Sequence, residues 1–159
     1  MPLKKRIARE SPLSEITLRK YERPSKLNER ELVRKLCLSL GLLQPGDSRD
    51  VIVDIVVVLL RARKKKKPLR SEEIETLVIS LRKKQKLPLL GIAGSNIRRQ
   101  LKRLKDILIV EKVRKSYRIV EFSPLEEIFK ERIEKFLLQS TLERVKDYMA
   151  FVSASPKRK

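Results

Sequence analysis

SNIRRQLKRLKDILIVEKVRKSYRIVE, residues 95–121, changes its apolar period half-way along. Over 95–105, Ile97, Leu101 and Leu104 recur at helical spacing and form one stripe. At about 100° per residue, Arg99, Lys102 and Arg103 fall opposite that stripe together with Ser95, while Asn96 and Arg98 flank them. Ser95 is the expected N-cap, and the helix should run to about Lys105. Beyond it, ILIVEKV and SYRIVEF are short and β-branched, joined by Arg114 and Lys115, which predicts a hairpin with a basic tip. Residues 95–105 hold five cations and no acid. A helix face that is merely solvated usually mixes signs, so this imbalance points to an anionic partner.

Working outward, LPLLGIAG at 87–94 carries two of the chain's four glycines and is expected as a loop. Before it, Ser71 as N-cap, Glu72 and Glu73 in the first turn, and Ile74, Leu77, Val78 and Leu81 on one stripe predict a helix over 71–84. VIVDIVVVLLRAR, preceded by Asp47 and Asp50 as candidate caps, predicts a helix over 48–63, with a strand as the alternative because of its β-branched content. Arg61, Arg63 and Lys64 to Lys67 suit a helix C-terminus, and the lysine run is expected to be a solvated face. An earlier helix starts at Asn28 with Glu31 and carries Leu32, Val33, Leu36, Cys37, Leu40 and Leu43 inward; QPGD at 44–47 ends it.

On the far side, Ser123, Pro124 and Glu126 predict a helix start, with a stripe of Leu125, Ile128, Phe129, Ile133, Phe136 and Leu137. Leu142, Val145, Tyr148, Met149 and Val152 lie on a different angular face, and Ser140 with Glu143 offers a second capping box, so a kink or break is expected near Ser140. The resulting organisation is a basic flexible arm over 1–26, an N-terminal helix within 27–46, a helix–hairpin domain over 47–122, a C-terminal helix or kinked helix pair over 123–152, and a basic tail over 153–159.

Composition narrows the chemistry. With 40 Lys and Arg against 20 Asp and Glu in 159 residues, the net charge is +20, a field that draws phosphate backbones or anionic surfaces. The longest apolar run, 51–60, is about half a membrane-spanning length and contains Asp54. The first residues are basic but lack the apolar core of a secretory leader, so a cytoplasmic, nucleoid-associated protein is expected. There is no histidine and one cysteine, which removes histidine bases, Cys-His catalysis, zinc ribbons and disulfides. No glycine-rich phosphate loop is present, so neither an enzyme nor a bound cofactor or metal is expected. Cys37 falls on a core-facing stripe and is expected as a buried hydrophobe. The wealth of Lys, Arg, Glu, Ile, Leu and Val is of the kind found in thermophile proteins.

Three helices followed by a two-stranded hairpin, the third helix basic outside, is the order of a winged helix-turn-helix domain. Residues 95–121 resemble the recognition helix and wing of archaeal and bacterial winged-helix regulators, a resemblance covering about 47–122. It implies a mainly α fold of three helices plus a β-wing, with additional N- and C-terminal helices, that binds double-stranded DNA in transcription regulation or chromatin. Ser95, Asn96, Arg98, Arg99, Lys102 and Arg103 would then meet the groove, and Lys112, Arg114, Lys115 and Arg118 the backbone beside it. A homodimer is expected, since the stripes of 32–43 and 125–137 exceed what such a core needs. RNA or ribosome binding, or protein contacts through the winged helix, are the alternative partners. A second, slighter resemblance spans about 16–83: RKYERPSKLNERELVRKL followed by two helices and LRSEEIETLV is similar in layout to the nucleotide-sensing ATP-cone of ribonucleotide reductases and their repressor.

Overall fold

The structure, a computed structural model, describes residues 10–156. It is mainly helical with one small antiparallel sheet. In chain order it contains α1 (Glu29–Ser39), α2 (Val51–Lys64), β1 (Leu69–Arg70), α3 (Ser71–Lys84), α4 (Gly94–Asp106), β2 (Val110–Val113) and β3 (Ser116–Ile119). A long helical rod over 125–154, here α5, follows.

α2 is the hub. Of its 14 residues, Val51 to Leu59 and Ala62 are all buried, and it packs against α1, α3, α4 and β3. A helix that is apolar on every side is stable only when covered on every side. That cover lets it keep helical form despite its β-branched residues, so the strand alternative is not taken. α1 is capped as expected: the Asn28 side chain accepts from Glu31 N–H at 2.9 Å. Its Val33, Cys37 and Leu38 face the core.

The sheet order is β1-β3-β2. β2 and β3 pair as Val110↔Ile119 through Val113↔Ser116, so Arg114 and Lys115 form the hairpin tip. β1 adds only Leu69↔Tyr117 and Arg70↔Ser116 on the other side of β3, a strand too short for any sequence period to reveal.

Helices α1 to α4 close alike. In each, a residue with positive φ, namely Gly41, Lys66, Lys86 and Leu108, follows the last turn. The next N–H then reaches back five residues, as in Leu42 to Cys37, Lys67 to Ala62, Leu87 to Arg82 and Ile109 to Leu104. These bonds satisfy carbonyls the helix leaves open. Gly41 could not be replaced freely, since a Cβ there would lie 2.5 Å from the Thr17 Cβ. The close approach arises because residues 16–21, within the expected arm, are packed on α1. Arg19 N–H donates to Ser39 O at 2.8 Å, and its guanidinium to Leu38 O and Leu43 O.

Four local expectations are corrected. At α3 the cap position is Arg70, whose N–H donates to Glu73 Oε1 at 3.3 Å, and Ser71 is already the first helical residue. α4 begins at Gly94 with Ala93 as its cap residue, because the Ala93 carbonyl already accepts from Ile97 N–H at 3.0 Å; Ser95 sits inside the first turn. The expected cap at Ser123 does not form either, and Pro124 precedes the first helical residue. The rod does not break at Ser140. Helical dihedrals continue through Leu138 and Gln139, and Ser140 Oγ donates to Leu137 O. Phe129–Leu138 is wound as a π-helix, which turns less per residue than an α-helix. That unwinding rotates the later apolar positions relative to an ideal α-helix, so their shifted angular face marks a change of winding rather than a break.

The rod's first half is consumed by the chain's own core. Ile128, Ile133 and Leu137 are buried, whereas Phe136 is 64% exposed and does not belong to the buried stripe. None of Gln139–Ala154 is buried. No helix among the described residues is long and apolar enough to cross a membrane.

Candidate nucleic-acid interface

α4 is positioned by Ile97, Leu101 and Leu104, each fully buried. Outward of that stripe, Ser95, Arg98, Arg99, Lys102 and Lys105 are exposed, and Asn96 and Arg103 are half-buried. None of Arg98, Arg99, Lys102 or Lys105 makes an ion pair among the described residues. Within α4 itself the acid is Asp106, the last residue; Glu75 of α3 brings a carboxylate near Gly94 and Arg98 without forming an ion pair.

The expected site residues divide into two sets. Asn96 is committed inward: its amide donates to Gly91 O at 2.7 Å, while its carbonyl oxygen accepts from Arg99 and Gln100. Arg103 leans back toward the α1–α2 loop, donating to Gln100 Oε1 at 2.8 Å and Gly41 O at 3.4 Å. Arg98, Arg99 and Lys102 remain the exposed edge without ion pairs, Arg99 steadied by its bond to Asn96, and Lys105, absent from the residues expected at the groove, joins them.

The hairpin follows α4 after only three residues, 107–109. Val110, Tyr117 and Ile119 form its inner face. Lys112, paired across the strands with Tyr117, lays its ammonium 5.4 Å from that ring and is exposed. Arg114 and Lys115 at the tip are exposed, Arg114 with φ of 59°. Arg118 is placed differently. It lies on the opposite hairpin face, 3.5 Å from the Glu111 carboxylate and stacked 5.0 Å over Phe122, and its Nε has no hydrogen-bond partner. That guanidinium is spent largely on the fold.

Compared with protein-family models, curated proteins and solved structures, the chain matches none of them.

A buried ionic cluster that sequence reasoning missed ties α1, α2 and α3 together behind this face. Asp54, fully buried, receives Arg82 Nη1 at 2.5 Å and Arg30 Nε at 2.9 Å. Asp50 receives Arg30, Arg34 and Arg82 at 2.9–3.2 Å. Arg82 also donates to Pro88 O at 2.7 Å, tying down the loop that leads into α4. Burial opposes the charge on Asp50, but the hydrogen bonds and charges of Arg30 and Arg82 hold its carboxyl below the usual range. The same carboxylates raise Arg30 against the opposing effect of burial. The available hint was Asp50 and Asp54 at i and i+4 on an otherwise apolar helix. Cys37 is buried as expected, and burial pushes its thiol up to about 12. No group of three or more potential metal ligands occurs among the described residues.

Proposed function

We propose that this chain is a winged-helix protein that binds double-stranded DNA, with α4 as recognition helix and the β2–β3 hairpin as wing, acting in transcription regulation or chromatin. The observation that carries this reading is the free basic edge of α4, Arg98, Arg99, Lys102 and Lys105, followed at once by a hairpin whose Lys112, Arg114 and Lys115 also lack ion-pair partners among the described residues. The order helix, short strand, helix, helix, hairpin supports it as well, since that arrangement presents one helix and one loop to the same duplex.

The groove contacts would come from Arg98, Arg99 and Lys102, which can meet guanine edges or phosphates; the tip would add backbone contacts. Two copies would join through α5. Leu142, Val145, Met149 and Val152 recur at spacings of 3, 4 and 3 residues and are 42–73% exposed, the pattern of a helix seam that a second helix covers. The surface that pairs would thus be 142–152 rather than the stripes of 32–43 and 125–137, most of whose apolar residues are buried or half-buried in the chain itself, Leu32 and Phe136 excepted.

The test is a binding competition among duplex DNA, duplex RNA and single strands at two salt concentrations. Duplex DNA should win, and about six phosphate contacts would make log K fall with log salt at a slope near −5. Equal or stronger capture of duplex RNA would move the protein to the RNA-binding class.

A further inference from the structure

Between the α1–α2 loop and α4 lies a cleft of about 360 Å³. Its lining combines Leu43, Val51 and Leu90 with Arg49, Arg99 and Arg103. None of these three arginines has an ion-pair partner among the described residues, and Asp47, the acid in the lining, instead accepts from Gln44 N–H at 3.2 Å. Two of the guanidinium groups are held in place by uncharged partners: Arg99 by Asn96 Oδ1 at 2.7 Å, Arg103 by Gln100 Oε1 at 2.8 Å. A guanidinium has five N–H donors, so each keeps donors to spare, already oriented.

We propose that this cleft binds a small organic anion, a phosphate or carboxylate carrying an apolar body, and that its occupancy withdraws Arg99 from the duplex. Three unpaired cations set the charge of the ligand. The leucine and valine lining sets its body, because a bare phosphate or a DNA backbone phosphate would leave that surface uncovered. The volume is at the small end of the range for ligand pockets. Arg99 lies on both the cleft and the exposed edge of α4, so a ligand and a duplex compete for it. This second half rests on the DNA-binding reading; the first half does not.

The cleft is tested without DNA. Thermal midpoints followed by circular dichroism would be compared in phenyl phosphate, benzoate and inorganic phosphate at constant ionic strength. Phenyl phosphate or benzoate at ten times its Kd should raise the midpoint by about 4 °C, and inorganic phosphate by clearly less. The gain should vanish in Arg49→Gln, an exposed residue with no structural hydrogen bond among the described residues, and persist in Lys64→Gln, which removes the same charge elsewhere. Gains no larger for phenyl phosphate or benzoate than for inorganic phosphate, or a gain that survives Arg49→Gln, would overturn the site. The coupling is then read by anisotropy with labelled duplex. Competition should raise the apparent Kd about tenfold at ten times the ligand's own Kd. Unchanged DNA affinity with the cleft occupied refutes the coupling, whereas failure to bind DNA in the absence of any ligand refutes the functional reading and leaves the cleft to the thermal data.

Discussion

Arg82 of α3 donates to Asp54 of α2 at 2.5 Å, with the arginine side chain 3% exposed and the aspartate 0%. A carboxylate at that depth is tolerated only because Arg82 and Arg30 satisfy both of its oxygens. The pair joins two helices of the core, and through the Arg82 bond to Pro88 O it also fixes the loop that aims α4.

Removing one partner should therefore be severe. Asp54→Ala leaves two guanidinium groups buried with only Asp50 to face, and a loss of about 3–5 kcal/mol is expected in urea unfolding. Replacing Asp54 and Arg82 together by leucine and methionine should recover a large part of that loss. A single substitution costing under about 1 kcal/mol would show that water enters the cluster.

Asp50 has a folded-state pKa below its unfolded one, so the stability it contributes is present above the ordinary carboxylate value and lost as pH falls through the lower folded value. Stability should be level near neutrality and decline below about pH 4. Asp50→Asn should flatten part of that acid limb in urea titrations repeated down to about pH 2.5. An unchanged acid limb would mean that other carboxylates govern it.

Cys37, with its thiol pushed up to about 12, is neutral and shut away in the folded protein. A thiol reagent at about pH 8 should label it only at the rate of unfolding, and fully once urea is added. Its folded pKa lies above its unfolded one, so this contribution to stability is lost as pH rises from about 9 toward 12. Rapid labelling of the native protein would contradict the packing of α1.

The triple change of Arg98, Arg99 and Lys102 to alanine should weaken duplex binding far more than the same change at Lys64, Lys65 and Lys66, which removes equal charge from a solvated run. Deleting a cation that pairs with a guanine edge should cost about 1–3 kcal/mol on a preferred site. Arg114→Ala should weaken all sequences alike and shallow the salt slope by about one ion. Equal weakening by both triples would mean that net charge alone drives the binding.

For the α5 seam, sedimentation at tens of micromolar should give a dimer, and Val145→Glu combined with Met149→Glu should give a folded monomer, since neither side chain is needed by the core. A dimer that survives the double change would place the interface elsewhere.

Local sequence determined the helices and the hairpin, because their signals, apolar period, caps and a turn, act within a few residues. Asn28 caps α1, and α3 spans 71–84 with Ile74, Val78 and Leu81 of its expected stripe buried and Leu77 exposed. The basic character of α4 was legible for the same reason. Tertiary structure alone decided which cations stay free: Arg103 turns toward Gly41, 62 residues away, and Arg118 toward Phe122 across the hairpin face. It also decided that Asp54 is an ionic core residue, through partners 24 and 28 positions distant, and that β1 exists. Each of these depends on groups brought together only by the folded chain, and no period within one segment encodes a partner in another.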